Sequence, residues 1–281
     1  MQKFDIIFLG LAQSCEEHIV KFLDLIKQIS EEKRVCAFIG ENGSSDLTFD
    51  VINRSKLNDE NILFFVDTTF IEKFDDRIER LANARQKLKN QIIEKNLISD
   101  FICLVDLDDV LNDNFNKDLI YKLIDNLSKN KDKYFGISLK SEPFYYDILN
   151  FESNEFPNDK IKQLQNNKKI NSYNLRKKKI YDVQKKISIL NNIEAVSAFN
   201  GLCVYNYDDF KLSDYLEKSE DVTPEHLFFN RQIYNKTNKR ILITEHKLKM
   251  PIEHKPLNNI FIFIYEKLKK YMFLLYRKIT T

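Results

Sequence analysis

The stretch Phe101-Ile102-Cys103-Leu104-Val105-Asp106-Leu107-Asp108-Asp109 decides the fold class. Its first five residues are all apolar, as expected for a strand that helices cover on both faces of a parallel sheet. Acidic residues follow directly at the carboxyl end of this predicted strand. Because ligands bind outside the carboxyl ends of strands in open α/β sheets, the stretch predicts a buried strand and a site beside it.

Three further apolar runs precede this strand in the chain. They predict strands at residues 6–9, 35–39 and 62–66, and apolar residues with helical spacing lie at 19–26 and 78–92. Strands and helices in alternation are typical of a mostly parallel α/β sheet with right-handed crossovers. We therefore predict an α/β fold with helices on both faces of the sheet.

The second half of the chain is less regular. Residues 134–139, 196–205 and 240–244 are predicted strands, and residues 223–234 are a predicted helix with Pro224 near its first position. Between them, residues 158–192 carry ten basic and two acidic residues, a net charge of +8. We interpret this stretch as a mobile or partly helical basic insertion.

Residues 257–281 form a tail in which aromatic and aliphatic residues alternate with basic clusters, with five positive charges and one negative. A spanning helix needs about 20 mostly apolar residues, and these clusters interrupt the run. The pattern predicts an amphipathic helix at an anionic membrane surface, and the alternative is a C-terminal helix packed on the domain. The insertion and the tail are both basic, whereas the rest of the chain carries −10, so the net charge of +2 results from opposite charges in different parts of the chain.

Composition excludes several classes of site. The five glycines never fall at the spacing of a G-x-G-x-x-G or P-loop motif, and the four cysteines form no C-x-x-C pair. The near-zero net charge gives no argument for nucleic-acid binding. The N-terminal apolar run is too short for a signal peptide, and together with the isolated cysteines it predicts a cytoplasmic protein.

Asp106 and Asp108 are the strongest candidates for chemistry. In extended backbone, residues two apart point the same way, so the pair can hold Mg²⁺ or Mn²⁺, which then bridges the oxygens of a diphosphate. The alternative is that Asp109 or Asp113 caps the next helix and the others form a solvated acidic turn. Placement directly after an apolar strand favours the metal site.

Several blocks in order resemble the nucleotide-sugar glycosyltransferases of the GT-A fold. Among these, the chain is similar to the fungal capsule α-1,3-mannosyltransferases and their bacterial relatives. The blocks are Glu41 to Thr48, Arg77 to Arg85, Val105 to Asp109, Ala198 to Tyr205 and Glu225-His226. The resemblance spans residues 5 to about 250, and Pro224 stands where the family has a Cys.

The resemblance implies a GT-A domain over residues 1–256, with a nucleotide-binding half (1–109) and an acceptor half (110–256). It implies that Glu41 and Asn42 contact the base or ribose of the donor. The alternative for this loop is a plain cap, with Ser45 or Asp46 before the next helix. An Arg on the following helix would meet the diphosphate, and Arg77 and Arg85 are preferred because they flank small residues.

The resemblance also assigns the acceptor half. Asn200 and Gly201 are expected to contact the sugar, with a simple β-bulge as the alternative. Glu225 is the expected general base toward the acceptor, or an orienting group in a retaining enzyme, although a helix start favours a carboxylate in any case. Asp108 is placed with it among the catalytic residues, and either His246 or His254 would complete the metal shell.

We therefore predict a metal-dependent glycosyltransferase that uses Mn²⁺ or Mg²⁺ and a nucleotide-diphosphate sugar. Its acceptor would be a glycan or lipid-linked hydroxyl of lipopolysaccharide or capsule type, reached at the inner face of the membrane, and no nucleic acid is expected. Two alternatives remain. A sugar-nucleotide nucleotidyltransferase would need a Gly-rich loop after the first strand, and a non-catalytic membrane-surface protein would use the basic stretch 176–186.

Overall fold

A computed structural model describes residues 2–55, 62–68, 76–111, 114–166, 173–216 and 223–251, without the side chains of 163–166 and 173–178. Its strands are β1 (Gln2–Ala12), β2 (Val35–Glu41), β3 (Ile62–Asp67), β4 (Leu97–Asp106), β5 (Tyr134–Glu142), β6 (Ile193–Ala195), β7 (Leu202–Asn206) and β8 (Arg240–Lys249). Its helices are α1 (Glu16–Ser30), α2 (Thr48–Ser55), α3 (Arg77–Glu94), α4 (Lys117–Lys129), α5 (Asn158–Asn166), α6 (Tyr173–Ile189), α7 (Tyr207–Phe210) and α8 (Glu225–Thr237). The described residues up to Met250 belong to one compact unit, and the predicted tail, residues 257–281, lies outside the described residues.

The strands form one eight-stranded sheet in the order β3-β2-β1-β4-β7-β5-β8-β6. β1 pairs in parallel with β2 and β4, β2 with β3, and β5 with β8. β7 is antiparallel to both β4 and β5, and β6 is antiparallel to β8. Six strands therefore point the same way, and their carboxyl ends meet at one side of the sheet, which we call the carboxyl edge.

The sheet is buried on both faces because successive residues of its central strands alternate between two cores. Ile6 and Phe8 of β1 pack in one core with residues of α1, α2 and α4. Ile7 and Leu9 pack in the other with residues of α3, α6 and α8. This arrangement confirms the predicted mixed, mostly parallel α/β sheet flanked by helices.

One predicted strand is wrong. Residues 196–205 were expected to form a single strand, whereas β6 ends at Ala195 and β7 begins at Leu202. Asn200 and Gly201 lie between them with φ of 55° and 85°, left-handed values that an extended strand cannot accommodate. The polar interruption is therefore a tight turn between two strands.

The basic insertion is helical over much of its length, since α5 and α6 cover most of its described residues. Ile161 and Ile187 are buried in the second core, and Gln184 of α6 donates a hydrogen bond to the carbonyl of Tyr146. The helical interpretation is confirmed for these residues. In the part of the chain that the structure describes, no helix combines the length and apolar character needed to cross a bilayer.

Candidate active site

Arg85 of α3 joins two carboxylates at the carboxyl edge. Its Nη2 donates to Oδ1 of Asp106 at 3.0 Å, and its Nε donates to Oε1 of Glu225 at 3.3 Å. Asp106 is the last residue of β4 and Glu225 is the first of α8, so the ion pairs connect residues far apart in the chain. Three residues predicted separately from the sequence are thus brought together.

The guanidinium of Arg85 is buried, with only 4% of the residue exposed. Burial alone would lower its pKa, but Asp106 and Glu225 raise the pKa above the usual arginine value and keep the group charged. Its Nη1 atom is also buried and has no hydrogen-bond partner among the described residues. A buried, unused N–H donor on a fixed cation is an unsatisfied group that a bound anion or water would satisfy.

His226 follows Glu225 and is held by aromatic rings. Its ring stacks on Phe199 with centroids 3.8 Å apart, and Tyr215 meets it edge-on at 5.9 Å. Burial, followed by the charge of Arg85, lowers the pKa of His226 well below its usual value, so the imidazole is neutral. Both ring nitrogens lack hydrogen-bond partners in the described structure, and Nε2 lies 3.6 Å from Oε1 of Glu225.

The acidic turn after β4 differs from the prediction in its backbone. The strand ends at Asp106, whose N–H donates to the carbonyl of Gly201 at 2.9 Å. Asp108 lies in a bend, where its Oδ1 accepts from the N–H of Val110 at 3.0 Å. The assumption of extended backbone through Asp108 is therefore wrong, because an Asx turn closes the chain at that residue.

Asn200 and Gly201 form the turn that faces this acidic segment. The Asn200 side chain is fully buried; it donates to the carbonyl of Leu139 at 3.1 Å and accepts from the N–H of Tyr146 at 3.2 Å. A Cβ on Gly201 would lie 2.6 Å from the Tyr146 hydroxyl and 2.8 Å from Val110. Asn200 thus fixes the segment after β5, and the expected sugar contact of these two residues stays a prediction.

Glu41 and Asn42 lie at the carboxyl end of β2, two strands away from β4. The Glu41 carboxylate is buried and accepts from the N–H groups of Gly43 and Ser44, at 3.1 and 2.6 Å. It thereby shapes the loop that leads to α2. Asp46 accepts from the N–H of Thr48, the first residue of α2, at 3.0 Å.

Other predicted residues lie apart from the cluster. Arg77 is exposed at the first position of α3, eight residues before Arg85. His246 lies within β8 rather than just after it, because the strand continues to Lys249, and it is partly exposed. His254 lies outside the described residues. Across residues 2–251, apart from the undescribed stretches, no group of three His, Cys, Asp or Glu is arranged to hold a metal.

The donor chemistry of the acidic turn nevertheless fits a hard divalent cation. Asp106 and Asp108 are both partly exposed and offer carboxylate oxygens, the ligands that Mg²⁺ and Mn²⁺ prefer. Such ions are commonly held by one or two carboxylates together with substrate phosphates and water. Two protein ligands are therefore enough, and a histidine is not required.

The sequence interpretation missed Asp147, which follows the buried pair Tyr145-Tyr146. Its Oδ2 accepts from the N–H of Asn200 at 3.2 Å, and its charge interacts with those of Glu225 and Asp106. The signal that identified Asp106, an acid directly after an apolar strand, does not apply here, because Asp147 lies five residues beyond the end of β5.

The fold is shared with solved glycosyltransferases of the GT-A type. The mannosyltransferase of Pyrobaculum calidifontis in complex with GDP-Man and Mn²⁺ matches with a TM-score of 0.51 and 10% identity, over 92% of this chain and 59% of that one. Staphylococcus aureus TarS (residues 1–349) with UDP matches with a TM-score of 0.50 and 12% identity, over 89% and 62%. This chain thus spans about three fifths of the length of those two structures.

A third solved structure is the glucosyl-3-phosphoglycerate synthase of Mycobacterium tuberculosis with Mn²⁺, UDP and glucosyl-3-phosphoglycerate. It matches with a TM-score of 0.50 and 10% identity, over 91% of this chain and 74% of that one. No family model matches the chain, and no curated protein matches it by sequence. At these identities the comparisons establish the GT-A fold, and the activity of the chain has to be argued from its own residues.

Proposed function

We propose that the chain is a metal-dependent glycosyltransferase that transfers a sugar from a nucleotide-diphosphate sugar to a hydroxyl group. The observation that carries this proposal is the buried Arg85 held between Asp106 and Glu225 at the carboxyl edge. A fixed cation with an unused donor beside an oxygen-rich turn suits a diphosphate leaving group.

Asp106 and Asp108 are the residues that would hold Mn²⁺ or Mg²⁺. The ion, when bound, supplies positive charge that stabilises the diphosphate as it leaves. Arg85 adds a second positive charge from the protein, at no cost of reorganisation because its neighbours already fix it. Glu225 keeps Arg85 in place, and its position at the start of α8 leaves it near the acceptor half of the edge.

The finer parts of the proposal follow the resemblance in the sequence. We propose membership in the group around the fungal capsule α-1,3-mannosyltransferases, Glu41 and Asn42 as contacts of the nucleoside, and Asn200 and Gly201 as the backbone platform for the sugar. The acceptor would be a cell-surface glycan or lipid-linked glycan. The expected histidine ligand is not part of the proposal, since two carboxylates suffice.

The membrane part of the proposal rests on the basic insertion and on the tail. Their net charges of +8 and +4 would hold the enzyme at the anionic inner face of the membrane. Replacing Lys267, Lys269 and Lys270 by Glu should reduce binding to phosphatidylserine-containing vesicles more than tenfold in a sedimentation assay. Unchanged binding would contradict the tail as the anchor.

A nucleotidyltransferase is the competing enzyme class, and Gly10 bears on it. This glycine lies in β1, and a Cβ there would come within 2.5 Å of the Leu107 side chain. Because Gly10 has no side chain, Leu107, which lies between Asp106 and Asp108, can pack directly against β1. That role differs from a Gly-rich phosphate loop, which this class would need after the first strand, and favours the transferase.

The proposed function can be tested by thermal shift with UDP, GDP, ADP and CDP, each with and without Mn²⁺. A ligand at 100 times its Kd adds about 2.7 kcal/mol to the free energy of unfolding, so binding is readily seen. We expect one nucleoside diphosphate to stabilise the protein, and only with the metal. The absence of any metal-dependent stabilisation would overturn the proposal.

A further inference from the structure

Asp147 is a carboxylate at the carboxyl edge that the roles above do not use. Its Oδ1 accepts from Nδ2 of Asn150 at 2.9 Å, and its Oδ2 accepts from the N–H of Asn200 at 3.2 Å. The N–H of Asp147 donates in turn to Oδ1 of Asn200 at 3.3 Å. The residue is partly exposed, and these hydrogen bonds hold both oxygens of its carboxylate.

Asn150 connects Asp147 with the helix that carries Glu225. Its Oδ1 accepts from the N–H of Leu227, in the first turn of α8, at 3.2 Å. Its carbonyl accepts from the Ser197 hydroxyl at 2.6 Å, which fixes the asparagine from the other side. One side chain therefore sets the positions of Asp147 and of the start of α8 relative to each other.

Asn200 connects Asp147 with the acidic turn. Asn200 donates its N–H to Asp147, and the carbonyl of the next residue, Gly201, accepts from the N–H of Asp106 at 2.9 Å. A short run of backbone thus links the two carboxylates. Asp147 is positioned relative to Asp106 as firmly as relative to Glu225.

The sheet order separates the segment that carries Asp147 from Asp106 by one strand, β7. β7 lies between β4 and β5, and neighbouring strands are about 4.8 Å apart, so the carboxyl ends of β4 and β5 are separated by about 10 Å. Asp106 ends β4, whereas Asp147 belongs to the segment that follows β5. Asp147 therefore belongs to the segment on the β5 side of Asp106, in the proposed acceptor half of the chain.

Unsatisfied polar atoms nearby indicate that the region is shaped for a ligand. Nη1 of Arg85 and both ring nitrogens of His226 are buried without hydrogen-bond partners among the described residues, and each of these residues is at least 96% buried. The Tyr215 hydroxyl is unpartnered in the same way, and it lies within the electrostatic influence of Arg85 and Glu225. Bound hydroxyl groups or water would supply the missing partners.

Glu225 and Asp147 differ in what they can do. Glu225 is buried, and its Oε1 accepts from Nε of Arg85 at 3.3 Å. Burial raises the pKa of Asp147 to about 6 in spite of hydrogen bonds from Asn150 and Asn200, and Glu225 and Asp106 add to the increase. Asp147, by contrast, is partly exposed and is the more accessible carboxylate of the two.

We propose that Asp147, and not Glu225, is the general base that receives the proton of the acceptor hydroxyl. In this step the acceptor oxygen bonds to the anomeric carbon of the donor while the bond from that carbon to the diphosphate oxygen breaks. The electron pair leaves with the nucleoside diphosphate, and the hydroxyl proton passes to Asp147. The inference rests on the proposed function and names the residue that activates its acceptor.

The test uses transfer to water, which needs no identified acceptor. Release of the nucleoside diphosphate from the nucleotide sugar that binds the native protein is measured for Asp147→Asn and Glu225→Gln. We expect Asp147→Asn to lower this rate at least 100-fold, the usual range for loss of a general base, with the Kd for the nucleoside diphosphate unchanged within threefold. Asp100→Asn, at the exposed far end of β4, is the matched control and should stay within twofold of the native rate.

A double variant separates catalysis from structure. Asp147→Asn combined with Asn150→Asp exchanges the two groups, so that an amide at 147 donates to a carboxylate at 150, which still accepts from Leu227. We expect this variant to regain the native melting temperature while its rate stays at least 100-fold low. A restored rate would show that Asp147 has only a structural role and would overturn the inference.

Two other results would also contradict it. A Glu225→Gln variant without activity, alongside an Asp147→Asn variant that keeps more than a third of the native rate, would return the role of base to Glu225. Weakened nucleotide binding in Asp147→Asn would place Asp147 on the donor instead. A native protein that binds no nucleoside diphosphate would overturn the proposed function itself, a failure seen before any variant is compared.

Discussion

The two ends of β4 both carry aspartates, and they differ in how those charges are satisfied. At the amino end, a cavity of about 450 Å³ is lined by Asp100, Lys131, Asp132, Asp208, Asp209 and Lys239, among others. Lys239 pairs with Asp209 at 2.9 Å, and Lys3 pairs with Asp100 at 3.0 Å on the surface. None of the side chains lining this cavity has a buried polar atom without a hydrogen-bond partner, as far as the described residues show.

At the carboxyl end, by contrast, Asp106 meets a buried arginine that retains an unused donor. His226 and Tyr215 nearby also have buried polar atoms that no described residue satisfies. The two ends of the strand therefore differ in their buried polar groups. Those at the carboxyl end lack partners that a bound anion, hydroxyl group or water would supply.

We expect the largest effect on nucleotide-sugar hydrolysis when one aspartate is replaced at the carboxyl end of β4 and the result is compared with a replacement at its amino end. Asp106→Asn removes a proposed metal ligand and an Arg85 partner, so we expect nucleotide-sugar hydrolysis to fall by about 100- to 1000-fold. Asp100→Asn should leave the rate within twofold. Steady-state release of nucleotide measures both, and equal effects of the two substitutions would break the contrast between the ends.

A second test compares two arginines of α3. Arg85→Met leaves the Asp106 and Glu225 carboxylates without their buried cation, so we expect a loss of about 3 kcal/mol in the free energy of unfolding. Arg77→Met, at the exposed start of the same helix, should change it by less than about 0.5 kcal/mol. Urea unfolding followed by circular dichroism gives both values. A small loss at Arg85 would mean that the ion pairs contribute little to the fold.

The smallest expected effect is a pH dependence of stability at Asp147. Its pKa is raised to about 6 in the folded protein, so between pH 4 and 6 the folded state binds more protons than the unfolded chain. Stability therefore falls as pH rises through this interval and is constant above it. Each unit of pKa difference is worth about 1.4 kcal/mol, and because the side chain is partly exposed we expect a loss of about 1 to 2 kcal/mol relative to Asp147→Asn.

Urea unfolding of the native protein and of Asp147→Asn at pH 4 and pH 7 measures this difference. Because all other titrating groups are shared, their contributions cancel in the comparison. A gap between the two proteins that is the same at both pH values would show that the carboxyl at 147 is not perturbed by folding.

A strand could be predicted from the sequence wherever its own residues show the pattern that its burial requires. Apolar runs identified β1 to β4, because strands buried on both faces need side chains that are apolar at every position. The break between β6 and β7 could not be predicted in the same way. The break depends on a left-handed backbone conformation at Asn200, which is unusual for a residue other than glycine. The pattern of apolar residues does not predict such a conformation.

The site was predictable for residues that adjoin a clear element end. Asp106 follows an apolar strand, Glu225 opens a helix, and the structure joins both to Arg85. Asp147 was missed because the hydrogen bond that orients it comes from Asn200, 53 residues further along the chain. The extended backbone expected at Asp108 was wrong for a local reason, since an Asx turn competes with extended backbone there.

We propose that the carboxyl edge binds a nucleoside diphosphate through Asp106, Asp108 and Arg85. Calorimetric titration of the native protein with UDP and with GDP, in Mn²⁺ and in EDTA, measures this binding. We expect one nucleotide to bind with micromolar Kd in Mn²⁺ and at least tenfold more weakly in EDTA, and Asp106→Asn to lose this difference. Binding of neither nucleotide, or equal binding with and without the metal, would contradict the claim.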